Sequence, residues 1–251
     1  MRKKIIAGNW KMHKTVREAE ELVGSILKGL PETHYEVVVC PPFTALYRIS
    51  QLLEGSRLKL GAQNMHYEIQ GAFTGEISAP MLRELGVEYI ILGHSERRHI
   101  FGESDEMISK KLRRAVETGL KPILCVGEKL EERERGLTEK VIERQLVSAL
   151  EGLSREDLDD LVVAYEPVWA IGTGKNATPE QAQEVHAFIR SKLSELLGEE
   201  FADSRTILYG GSVKPHNIYE LTKEEDVDGA LVGGASLSAE SFLGIIEKAH
   251  K

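Results

Sequence analysis

Apolar residues recur along the chain in eight short blocks, each filling consecutive rather than alternating positions. The blocks are KKIIAGN from Lys3, EVVVC from Glu36, LKLGA from Leu58, EYIILG from Glu88, KPILCVG from Lys121, LVVAYE from Leu161, RTILYGG from Arg205 and DGALVGG from Asp228. Consecutive apolar positions of this length predict strands buried on both faces, as in a parallel sheet. One block alone could equally be a piece of buried helix; the series is what argues for strands. Between the blocks the period changes to that of amphipathic helices. TVREAEELVGSIL from Thr15 places Val16, Ala19, Leu22, Val23 and Ile26 on one face. SDEMISKKLRRAVETG opens on a capping Ser104 and stops at Gly119, and TPEQAQEVHAFIRSKLSELLG opens on Thr178-Pro179 and stops at Gly198.

Block starts lie roughly 20 to 45 residues apart, the size of one βα unit. Eight such units without a Pro- or Gly-rich linker predict an α/β fold of one domain over residues 1–251, a closed (β/α)8 TIM barrel of eight parallel strands ringed by helices. An open doubly wound sheet is the alternative, but it leaves two strand edges that closure removes.

In a barrel every strand ends on one rim, and that rim carries the chemistry. Asn9 and Lys11 follow the first block, His94 the fourth, Glu166 the sixth, Ser212 the seventh, and Gly233-Gly234 the eighth. Glu166 directly follows an apolar strand, where a carboxylate must be paired, solvated or functional, and Pro167 fixes the backbone after it. Ser95 is placed to cap a helix beginning at GHSERR, and a His at such a helix start is expected to stay neutral and able to donate to a carbonyl. Lys11 brings positive charge to the rim. IGTGK from Ile171, GGS from Gly210 and GGAS from Gly233 are Gly loops whose amides can approach an oxyanion closely. Taken singly, each feature has a bland counterpart: a rim carboxylate, a structural His, a surface Lys, a tight turn. Together they suit proton abstraction beside a carbonyl in a phosphorylated substrate. A free glutamate, with a pKa near ~4.3, needs that carbonyl polarised and water excluded.

Composition narrows the field. The net charge of −8, with no block of five like charges, disfavours nucleic acid as a partner. The mixed run EKLEERERG from Glu128 reads as a solvated helix start. No apolar run approaches the ~18 residues of a membrane span, and the N-terminal apolar stretch is too short for a signal-peptide core, so a cytoplasmic protein without membrane partners is expected. Cys40 and Cys125 lie at strand ends and read as small buried hydrophobes in a reduced compartment. No metal site is expected, since the His and Cys show no ligand spacing. Gly172, Gly174 and Ala177 mimic a dinucleotide fingerprint but do not open directly after the strand, and Gly174-Lys175 lacks the other residues of a Walker A loop.

Five segments then appear in order: GNWKM at Gly8, GHSERR at Gly93, AYEPVWAIGTG at Ala164, YGGSV at Tyr209 and LVGGASL at Leu231. In these the chain resembles the triosephosphate isomerase family, from Lys4 to the last helix. The resemblance implies interconversion of dihydroxyacetone phosphate and D-glyceraldehyde 3-phosphate, in glycolysis and gluconeogenesis, with no cofactor. It implies Glu166 as the base, His94 as electrophile, Lys11 as the charge-stabilising cation and Asn9 as a substrate contact. It further implies phosphate contacts from Gly172, Ser212, Gly233 and Gly234, a lid over Pro167 to Ala177 braced by Tyr209 and Ser212, and Glu96 beside Lys11. Asn176 departs from the Thr common at the lid's second hinge. The polar loop AQNMHYEIQGAFTGE from Ala62 is expected, by the same resemblance, to insert through Thr74 beside the site of a second subunit in a homodimer. Two rivals remain at this level: another phosphate-binding barrel isomerase or lyase, and a non-catalytic binding protein on the same fold.

Overall fold

The computed structural model of the chain describes residues 2–171 and 177–249. Eight strands pair in parallel, each with its sequence neighbours, and β1 also pairs β8, which closes the barrel. They are β1 (Ile5–Asn9), β2 (Glu36–Cys40), β3 (Lys59–Ala62), β4 (Tyr89–Leu92), β5 (Lys121–Val126), β6 (Val162–Tyr165), β7 (Thr206–Tyr209) and β8 (Gly229–Val232). Every predicted block contains one of them. The open doubly wound alternative is excluded by the pairing of Ile5 through Gly8 with Gly229 through Val232.

Alternation along each strand divides the core in two. Ile5, Ala7, Val38, Cys40, Ile91, Ile123, Cys125 and Leu208 fill the barrel interior. Ile6, Val37, Val39, Ile90, Leu124 and Ile207 face outward against the helices. This two-sided burial is why the strands read as unbroken apolar runs. Both cysteines are free and buried, and burial pushes the Cys40 thiol up to about 12.

The outer ring follows the caps. In α1 (Val16–Gly29), Thr15 and Glu18 form a reciprocal capping box, and Ala19, Leu22, Val23 and Ile26 are buried. Then come α2 (Phe43–Leu52), α3 (Ala79–Glu84), a short α4 (Ser95–His99) on the rim, and α5 (Asp105–Glu117), whose Ser104 cap accepts from the Met107 amide. Next are α6 (Leu130–Glu134), α7 (Thr138–Leu150) and α8 (Pro179–Leu197), the last with Thr178 and Gln181 as a second capping box. The ring ends with α9 (Glu199–Ser204), α10 (Ile218–Thr222) and α11 (Ala239–Ala249). Among the described residues no helix is long and apolar enough to cross a membrane.

Candidate active site

The barrel register aligns the strand ends, so loops far apart in sequence meet over one cavity of about 530 Å³. Asn9, Lys11, His94, Glu166, Ser212, Gly233 and Gly234 all line it. Gly172, expected at the site, and Asn176, expected at the second hinge of the lid, lie outside the described residues.

Glu166 stands at the end of β6, 2 % exposed. Its Oε2 accepts from the Ser95 amide at 2.9 Å and its Oε1 from the Ser95 hydroxyl at 3.3 Å. His94 Nε2 lies 2.8 Å from Oε1. Burial favours the protonated acid, but His94, the Ser95 amide and Lys11 together more than offset it, so the carboxyl sits below its usual pKa. At neutral pH this carboxylate is ionised and held.

His94, not Ser95, caps α4. Its side chain accepts from the Glu96 amide through Nδ1 at 3.2 Å. The expected Ser95 cap fails because Ser95 is already the first helical residue, and both its N–H and its hydroxyl are turned to Glu166. With Nδ1 accepting, the supported tautomer carries its proton on Nε2, facing Glu166. A neutral ring is the expectation from the sequence. The pKa direction differs from the expectation: burial lowers it, yet contact with the Glu166 carboxylate raises it above the ordinary histidine value overall. The five-residue α4 therefore does not dominate this imidazole; its carboxylate neighbour does.

Lys11 is held in a left-handed backbone conformation, φ 52°, uncommon for a residue with a side chain. Two side chains clamp it. Asn9 Oδ1 accepts from the Lys11 amide at 3.0 Å, and Gln63 Nε2 donates to the Lys11 carbonyl at 2.8 Å and to the Cys40 carbonyl at 2.9 Å. Lys11 Nζ meets Glu96 Oε1 at 2.7 Å, the pairing the resemblance implied. Its side chain runs past the eighth loop: a Cβ on Gly233 would lie 3.6 Å from Lys11 Cε. Gly234 opens a 3-10 turn ending at Leu237, and Ser236 hydrogen-bonds the Gly233 carbonyl to fix it. At the seventh loop, Asn217 donates to the Ser212 carbonyl and accepts from the Lys214 amide, which pins that loop from within.

Sequence reasoning missed Glu128. The charge run that begins there was expected to be solvated, and α6 is exposed, but Glu128 itself is fully buried. Its Oε1 accepts from Tyr165 Oη at 3.1 Å, Trp169 Nε1 at 3.0 Å and Arg133 Nη1 at 3.0 Å. Arg133 also stacks over the Trp169 ring, 4.8 Å from its centroid. The start of the expected lid, a 3-10 turn over Val168–Ala170, is thus tied to a buried carboxylate. A signal was present: Glu128 follows β5 almost as Glu166 follows β6. Tyr209, expected to brace the lid, is buried at the end of β7, and burial pushes its phenol up to about 12. Among the described residues no cluster of three His, Cys, Asp or Glu could hold a metal ion.

Comparison with known proteins agrees with this geometry. The profile of the triosephosphate isomerase family matches residues 4–249. The triosephosphate isomerase of Carboxydothermus hydrogenoformans is 57% identical over 248 residues, covering 98% of this chain and 99% of its own. That of Aquifex aeolicus is 57% identical over 246 residues, covering 97% of this chain and 98% of its own. That of Clostridium tetani is 53% identical over 246 residues, covering 98% and 96%. With the match running from the first strand to the last helix, and these relatives aligned over nearly their whole lengths, the chain belongs to the triosephosphate isomerase family.

Proposed function

We propose that this cavity interconverts dihydroxyacetone phosphate and D-glyceraldehyde 3-phosphate through an enediolate, with Glu166 as the proton carrier. The observation that carries the assignment is one buried carboxylate in contact with one imidazole, inside a cavity that also holds a lysine and two Gly loops. Glu166 removes a proton from C1 of the ketose, and the C–H electron pair moves through C1–C2 onto the C2 oxygen. The same carboxyl returns a proton to C2, and the proton that the C1 hydroxyl gives up as it becomes the aldehyde passes to the C2 oxygen by way of His94. His94 Nε2–H is the donor for the oxygen that takes up charge, Lys11 stabilises that charge, and Asn9 contacts the substrate. The amides of the loops at Ser212, Gly233 and Gly234 receive the phosphate, with Gly172 joining them from the lid.

The hydrogen bonds from Ser95 lower the basicity of Glu166, so the carboxylate must give them up to act. Turning it towards substrate also removes the influence that raises the His94 pKa, leaving a neutral ring to polarise the carbonyl. A lid over Pro167 to Ala177 that excludes water strengthens both effects. The test is a direct assay with glyceraldehyde 3-phosphate beside Glu166→Ala. Turnover by the wild type that collapses in the variant is expected. Phosphate binding without carbon–hydrogen exchange would make this a binding protein instead.

The chain also acts as a homodimer. Met12, Tyr47, Phe73, Met81, Ile100 and Phe101 are large apolar residues left exposed, all on the β1–β4 side of the barrel. The loop 63–78 is not an unstructured solvent loop. His66 stacks on Tyr67 and packs against Phe73, and its amide donates to the Ile77 carbonyl at 2.8 Å. Thr74 is exposed on this loop, and in the dimer it enters the partner beside that partner's own rim. Sedimentation at nanomolar concentration should still give a dimer, and Thr74→Arg should yield monomers of much lower activity. Fully active wild-type monomers would refute the assembly.

A further inference from the structure

Resting on the isomerase reading, we infer that Lys214 is a further substrate-binding residue, the unpaired cation that draws the phosphate end of the substrate to the seventh and eighth loops. The charge balance of the cavity poses the problem. Lys11 is paired with Glu96 at 2.7 Å, and Glu166 adds a full negative charge at the centre. The chain as a whole carries −8. A doubly charged phosphate ester must therefore enter against a negative protein and a negative site. Backbone amides give directed hydrogen bonds but no net charge.

Lys214 lines the same cavity as Ser212, Gly233 and Gly234, and it is exposed. Among the described residues it has no carboxylate partner, while Lys11 has one. Its backbone is fixed at both ends: the amide donates to Asn217 Oδ1 at 2.8 Å, and the carbonyl accepts from the amides of Asn217 and Ile218. The exposed ammonium is therefore carried by a fixed stretch of the seventh loop, two residues beyond Ser212. An exposed cation in the cavity lining raises the local concentration of a dianion and adds to its binding without entering the chemical step. This separates Lys214 from Lys11, whose fixed, clamped position suits it to charge that develops during the reaction.

The experiment compares wild type, Lys214→Gln, Lys214→Arg and a control, Lys223→Gln, which removes the same unit of charge from a lysine that does not line the cavity. At low ionic strength K214Q should raise KM about three- to tenfold and leave kcat within about twofold. Added salt should narrow the gap, because screening weakens the lost attraction in the wild type. K214R should stay close to wild type, and K223Q should be indistinguishable from it. Calorimetric titration with inorganic phosphate should show the same weakening in K214Q. Equal KM and equal phosphate affinity in K214Q and K223Q at low salt would overturn the role. So would a fall in kcat at unchanged KM, which would place Lys214 in loop geometry instead. The phosphate titration decides the matter even if the wild type proves inactive on trioses, so failure of the isomerase reading and failure of this inference remain distinguishable.

Discussion

Glu166→Asp is expected to lower kcat by about two to three orders of magnitude while KM changes only a few-fold. The variant keeps the charge and the chemistry and changes only reach. In the wild type the carboxylate spans two anchors, the Ser95 amide at 2.9 Å and His94 Nε2 at 2.8 Å. An aspartate carboxyl, shorter by one methylene, cannot meet both from the same backbone. More important, it cannot come as near to a substrate carbon placed against His94. Proton transfer from carbon falls steeply with such a retreat, whereas phosphate binding at the seventh and eighth loops does not involve residue 166. The loss should therefore appear in kcat and in the exchange of substrate carbon-bound hydrogen with solvent, both measurable by steady-state kinetics in heavy water. A variant with near-normal turnover would remove Glu166 from the reaction. The barrel itself should be undisturbed, since the backbone of residue 166 stays hydrogen-bonded to Val126.

What the sequence made legible and what it hid divide along a physical line. Strand positions were readable because burial on both faces forces consecutive apolar residues, and helix starts because Thr15, Ser104 and Thr178 are local caps. Closure followed from the count of units and from the disadvantage of free strand edges. The rim residues were readable as types at strand ends. Their contacts were not, because those depend on register between strands. Ser95 and Glu166 are 71 positions apart, and nothing near Ser95 distinguishes a residue that will donate to a carboxylate from one that will cap a helix. Glu128 was hidden for the opposite reason: its neighbours in sequence are charged and solvated, while its neighbours in space are Tyr165 and Trp169. The left-handed Lys11 is a third case. The strain belongs to its backbone, but the clamps come from Asn9 and, 52 positions away, Gln63. Local pattern fixes an element; the partner of a side chain is set by which strands lie side by side.

Register also makes Gly127 a sharper test than its place in LCVGEK suggests. Strand β6 lies between β5 and β7, with Tyr165 opposite Val126 on one side and Tyr209 on the other. Glu166 donates its amide to the Val126 carbonyl at 2.8 Å, and the Tyr165 carbonyl accepts from Gly210 at 2.7 Å. The carboxylate proposed as the base is thus carried by a backbone pressed between two glycines. A Cβ on Gly127 would stand 1.8 Å from the Glu166 carbonyl oxygen, which is backbone and cannot rotate aside. A Cβ on Gly210 would stand 2.9 Å from Glu166 Cγ and 3.0 Å from the Tyr165 carbonyl oxygen. Gly127→Ala must therefore push β5 and β6 apart at the rim. It is expected to cost about 1–3 kcal/mol or more in stability. In the fraction that remains folded, kcat should fall by about a hundredfold, because a shift of about 1 Å in the base is enough for that. Gly210→Ala presses mainly on a side chain, so it should keep most of its stability and lose about tenfold in kcat with little change in KM. Thermal melts and kinetics at one protein concentration, run on both variants, separate the two outcomes. A Gly127→Ala protein that turns over like the wild type would show that the rim can yield without moving Glu166. In that case the position of the base would have to be set by Ser95 and His94 alone.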